Sequence, residues 1–189
     1  MNYKNLFNVV VALISSPQKA WGQIKESDNQ SNVMSEFVYP MIGLCALSFF
    51  IGALIESRAD VDFVQVAMSG CCAVAVSLFG GFFLASYLVD ILGQKYLKRG
   101  SQYELSSRFV GYSMSIIFVL QIITGIIKVK LLFWLLQFYV LFVAFEGARS
   151  LMKVERDKIT HYTLIASAII IFCPELIGWV FNKLSEVLN

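Results

Sequence analysis

Few side chains in this sequence can do chemistry, and most of those that can are set in long apolar stretches. Two amides, Gln121 and Gln137, lie eight residues either side of Val129, and the carboxylic acid Glu175 follows Pro174. A second set comprises Asp90, Glu146 and Arg149, each close to the end of an apolar run. A polar group taken out of water must find a partner. Each set therefore points either to internal hydrogen bonding or to a route for a proton, an ion or a small solute. Glu146 and Arg149 stand at i, i+3, the spacing of a local ion pair on a helix, and Asp90 is within two turns of Lys95. Pro174 interrupts the backbone bonding of its helix, and carbonyls freed beside Glu175 would suit a cation as well as a simple kink. No G-x-S-x-G, HExxH or P-loop pattern is present, and no Asp pair or Ser/His pair sits within the apolar stretches. The chain reads as non-enzymatic. With one histidine, His161, and no CxxC or Cys/His spacing, neither a metal nor a cofactor is expected. Cys45, Cys71, Cys72 and Cys173 read as small polarizable core residues.

The elements that must position these residues follow from composition. Of 189 residues, 58% are hydrophobic and 15% charged, against about 45–50% and about 25% in a soluble domain. Phe63–Val89 runs 27 residues without a charge, more than the roughly 20 needed to cross a bilayer. This pattern excludes a soluble enzyme. The net charge of +2 is spread between apolar blocks rather than gathered on one face, which excludes a nucleic-acid partner. Five apolar blocks stand out: Phe37–Ile55, Val64–Leu92, Phe109–Ile127, Leu131–Ser150 and Tyr162–Phe181. Continuous runs rather than alternation make them helices, whose backbone groups are satisfied internally in lipid. The expected fold is all-α: an integral membrane bundle of five transmembrane helices with N-terminal amphipathic interfacial helices. The first partner is the lipid bilayer itself.

Residues 1–36 read as a cytoplasmic interfacial segment, and residues 37–189 as the five-span domain. Lys4 with Leu6–Ile14 resembles a signal peptide in outline, yet Ile14-Ser15-Ser16-Pro17 offers no small-x-small cleavage site. Ser16 instead suits a helix N-cap and Pro17 a first helical position, so residues 3–26 are expected as two short helices with Trp21 at headgroup depth. Orientation follows from the fifteen basic residues. A cytoplasmic N-terminus puts Lys4, Lys19, Lys25, Lys95, Lys98, Arg99, Arg108, Arg149, Lys153, Arg156 and Lys158 inside. Only Arg58, Lys128, Lys130 and Lys183 fall outside, so the positive-inside rule gives N-in and C-out.

Two packing expectations complete the reading. Ser69, Ala73, Ser77, Gly81 and Ala85 place a small residue every four positions along the second span. Such a stripe lets another helix backbone approach closely, within the monomer or across a homo-oligomer. Val89 is expected to face lipid. Because only Lys128–Lys130 join the third and fourth spans, these should form a tight hairpin with Gln121 and Gln137 at matching depth, about 12 Å below the outer surface. Glu175 falls at a similar, somewhat shallower depth. The three are expected to converge inside the bundle.

Three short motifs resemble a known family. Ile14-Ser15-Ser16-Pro17-Gln18-Lys19-Ala20-Trp21 is similar to the SP-x-x-A-W entry of bacterial members of the Yip family, the Ypt/Rab-interacting membrane proteins. Phe37-Val38-Tyr39-Pro40 and Gly111-Tyr112-Ser113, which open the first and third spans, also resemble that family's motifs, in the same order and over essentially the whole chain. The resemblance implies a five-span Yip-domain protein of a bacterial inner membrane, without the long cytoplasmic N-terminal region of eukaryotic members. The family's eukaryotic role is ER–Golgi vesicle traffic, so the partner class implied is a membrane or GTPase protein. Two functions are carried forward: a membrane-organising or partner-binding scaffold, and a small ion or solute transporter using the intramembrane carboxylates. Transport requires the acids to face one shared cavity, whereas a scaffold gives each a local partner.

Overall fold

The computed structural model describes residues 3–26, 32–56, 63–98, 100–127 and 136–188, and these are helical throughout with short connections and no strand. In chain order the helices are α1 (Tyr3–Ser15), α2 (Pro17–Glu26), α3 (Tyr39–Glu56), α4 (Phe63–Leu97), α5 (Tyr103–Ser113), α6 (Ser115–Ile126), α7 (Tyr139–Ser150) and α8 (Ile159–Leu188). Four segments are long and apolar enough to cross a membrane: Met34–Ile55, Val64–Leu97, Tyr103–Ile126 and Ile159–Val187. The expected fourth block, Leu131–Ser150, begins outside the described residues, and its described helix α7 is 12 residues long. The Lys128–Lys130 link also lies outside them.

Local chemistry explains the irregularities. Pro40 has no N–H to return to the preceding turn, and ahead of α3 the chain widens into a π-helical turn over Met34–Val38. There Tyr39 N–H bonds to the Met34 carbonyl, five residues back. At Met114 the third span breaks between α5 and α6, although Met114 N–H still reaches Val110 O at 2.9 Å. The 35 residues of α4 make a helix about 52 Å long. A hydrocarbon core is only about 30 Å thick, so α4 must project beyond it.

The most extensive helix contact is between α4 and α8, followed by those of α3 with α4 and α6. The expected hairpin of third and fourth spans is not a close pair among the described residues: α6 packs chiefly on α3 and touches α7 lightly. A close approach accounts for this. A Cβ on Gly52 would lie 1.8 Å from the Gly125 carbonyl oxygen, so the α3 and α6 backbones are in contact there. The helical links are also shorter than the apolar blocks suggest, because α4 continues to Leu97 and α5 starts at Tyr103.

The N-terminal helices belong to the same hydrophobic core as the bundle. Leu6, Val10 and Leu13 of α1 and Pro17, Ala20, Trp21 and Ile24 of α2 are buried, at helical spacing on one face each. The chain breaks at Ser16, with Pro17 opening α2, where the residue types indicate.

Candidate functional site

The three family-like motifs, up to 99 residues apart in sequence, meet at one aromatic node. Trp21 is fully buried, its ring stacked on Phe109 and set edge-on to Tyr112, each at 6.0 Å between centroids. Tyr112 in turn packs against Phe37 at 4.9 Å. The Trp21 indole N–H donates to the Val143 carbonyl of α7 at 2.9 Å. Space for the indole exists because residue 147 is glycine: a Cβ there would stand 2.6 Å from the Trp21 ring. Gly111 does the same for the other motif, since a Cβ would lie 2.9 Å from the Val38 side chain. A second tie runs beside it, from the Tyr139 hydroxyl of α7 to the Ile14 carbonyl at 2.8 Å. The expectation of Trp21 at headgroup depth is corrected in one respect: the indole is enclosed by protein, with none of its surface exposed. Its polar atom is satisfied by α7 rather than by water.

The amides and Glu175 are brought to a single cavity. Gln121 of α6, Gln137 just ahead of α7 and Glu175 of α8 all line a space of about 510 Å³, together with Ser77, Pro174 and Asn182. Gln137 is buried, Gln121 half-buried and Glu175 exposed. Among the described residues no hydrogen bond joins the three side chains, so they share a cavity without forming a bonded cluster. Two of the walls are the product of small residues. Ser77 donates to the Pro174 carbonyl at 2.7 Å, and a Cβ on Gly81 would meet Pro174 Cα at 2.5 Å. The Pro174 region of α8 thus lies directly on the α4 stripe.

Along that stripe Gly81 and Ala85 are buried, Ala73 and Ser77 line the cavity, and Ser69 is exposed. Val89 does not face lipid: it is fully buried in the common core. Val89 stands four residues beyond Ala85 and continues the stripe, so the same face of α4 stays buried there while Phe83, Tyr87 and Ile91 form its exposed side. Cys72 is likewise exposed rather than packed, unlike Cys45 and Cys173.

Asp90, Glu146 and Arg149 do not gather into an ionic set. The buried Asp90 carboxylate accepts from four donors: Ser101 Oγ at 2.7 Å, Gln94 Nε2 and the Gln102 backbone N–H at 2.9 Å, and Ser106 Oγ at 3.2 Å. Since Gln102 caps α5 without a side-chain bond of its own, Asp90 supplies from α4 the acceptor that the start of α5 requires. Glu146 and Arg149 lie on α7, half-buried and exposed, and no ion pair joins them among the described residues. Sequence reasoning looked for cations near Asp90, whereas hydroxyls and an amide across the turn took that role. The signal in the chain is Ser101-Gln102 ahead of a helix. The Gly52–Gly125 contact was also missed, although Ser48 and Gly52 have the same four-residue spacing as the α4 stripe.

No group of three or more metal-ligating side chains occurs among the described residues. The transport condition, acids sharing one cavity, is not met: Asp90 is bonded within its own turn region and Glu175 alone lines the cavity. No curated protein and no solved structure matches the chain. The Yip1 domain family model matches residues 11–177. That range takes in all three motifs of the aromatic node and every helix from within α1 to within α8, and the chain is an integral membrane protein of the Yip1 domain family.

Proposed function

We propose that this protein is a non-enzymatic membrane scaffold that acts by binding partners or organising the bilayer around it. It crosses a bacterial inner membrane five times, with α7 in the fourth span. The N-terminus is cytoplasmic and the C-terminus outside, with residues 1–36 on the cytoplasmic surface. One observation carries the reading: three polar side chains in and beside the spans tie one helix to another. Trp21 ties α2 to α7, Ser77 ties α4 to α8, and Asp90 ties α4 to the start of α5. Side chains committed to internal bonds make a rigid body, and what such a body offers is its surface. Partners of the class that family membership suggests, a membrane or GTPase protein or further copies of the chain, would dock there. Extraction into native nanodiscs without detergent, followed by mass measurement and identification of co-purifying chains, tests this. The expected particle contains the chain with a reproducible second protein or a second copy. Particles holding one chain and lipid alone, at native expression levels, would contradict it.

A further inference from the structure

At one end of the bundle four separate segments close around a basin of about 600 Å³, and its rim is basic. Lys25 comes from the end of α2, Lys98 from the end of α4, Lys153 from beyond α7, and Lys158 from the residue before α8. One acid, Glu155, shares the rim and is hydrogen-bonded to Lys158, whose ammonium pKa it pushes up. Lys25, Lys98 and Lys153 have no ion pair among the described residues.

Basic residues commonly flank membrane spans on the cytoplasmic side, so their presence alone assigns nothing. Their backbone does more. Lys98 (φ 49°) and Lys153 (φ 53°) are the only two non-glycine residues with positive φ among those described, and both stand on this basin. Glycine closes a helix end in that conformation without steric cost. Lysine at both positions accepts the strain and directs two cationic side chains over one concavity. Depth points to the ligand. Lys98 follows directly on the candidate span ending at Leu97, and Lys158 directly precedes the one starting at Ile159. The basin therefore lies at the membrane surface, at or beyond the headgroup layer of one leaflet. Its floor includes Leu97, Leu151 and Met152, apolar side chains suited to the glycerol end of a lipid.

We propose that this basin is a phosphate-binding site, occupied by the headgroup of an anionic phospholipid. The lysines act as point charges on the phosphate oxygens. The proposal is independent of the scaffold reading, since either a scaffold or a carrier can hold a lipid there.

The test is thermal unfolding of the full chain in nanodiscs of phosphatidylcholine alone, and with phosphatidylglycerol added in steps. A third arm uses phosphatidylcholine with inorganic phosphate in solution. The variants are Lys98→Asn with Lys153→Asn, because asparagine tolerates the left-handed backbone while removing the charge, and Lys4→Asn with Lys19→Asn as a charge-matched pair outside the basin. Phosphatidylglycerol is expected to raise Tm saturably, and the basin variant to require roughly tenfold more of it for half the effect. The Lys4→Asn, Lys19→Asn pair should respond as wild type. The same lysine dependence with inorganic phosphate and none with phosphatidylglycerol would keep the phosphate site but overturn the lipid as its occupant. Equal responses from all three proteins, or no response in either arm, would overturn the site itself. Because each protein is compared with itself across lipid compositions, a general loss of stability in a variant does not mimic the result.

Discussion

Trp21 fills a seat that two other helices build for it: Phe109 and Tyr112 of α5 against its ring, Gly147 and the Val143 carbonyl of α7 around its edge. The sequence indicated a helix break at Ser16 and an important tryptophan soon after, but not where the indole points. A tryptophan near a membrane surface has two equally ordinary places, the headgroup layer and a protein interior. Only the glycine at 147 decides between them, and its effect arises from the fold. Replacing Trp21 with alanine removes the largest buried side chain of the node, and a loss of about 3–5 kcal/mol is expected. Trp21→Phe keeps most of the packing but gives up the N–H···O bond, for about 1 kcal/mol. Unfolding in detergent measures both. Trp21→Ala melting like wild type would mean that the N-terminal helices are not part of the bundle's stability.

Between elements, the small-residue stripe is the feature most legible in the chain, and its placement was partly so. Spacing of four marks a helix face, and that face carries Gly81 onto Pro174. The same spacing carries Val89, four residues after Ala85, into the core, and the outward positions are Tyr87 and Ile91. The partners of Asp90 are hidden from spacing: they come from a turn whose path is set by where α4 stops, at Leu97, and α5 starts. Gln121 and Gln137 line one cavity, but the tight hairpin from which their matching depth follows is not a close pair among the described residues. Gly81→Leu would drive four carbons into the α8 backbone, and a destabilisation of about 1–3 kcal/mol or more is expected. Val76→Leu, at an exposed position on the same helix, should stay within about 0.5 kcal/mol. If both variants unfold alike, α4 and α8 are not held together at this contact.

For the molecule as a whole, the membrane assignment was legible from composition and the helical class from continuous apolar runs. Orientation rests on the distribution of basic residues. In a background lacking the four native cysteines, Gln18→Cys should react with an impermeant thiol reagent only from the cytoplasmic side, and Glu186→Cys only from outside. Reaction of both from one side would mean an even number of crossings and would remove α7 from the list of spans. Function is least legible, because the chemistry of a scaffold lies in its surface and that of a carrier in its interior. The interior can be questioned directly. Among the described residues Glu175 is the one acid lining the cavity that holds Gln121 and Gln137, so carboxylate-driven transport through that cavity must use it. Purified protein in proteoliposomes, loaded with a pH-sensitive dye and placed under a proton gradient or a sodium gradient, reports such flux. A scaffold predicts equal rates for wild type, Glu175→Gln and protein-free vesicles; flux present with wild type and abolished by Glu175→Gln would contradict it.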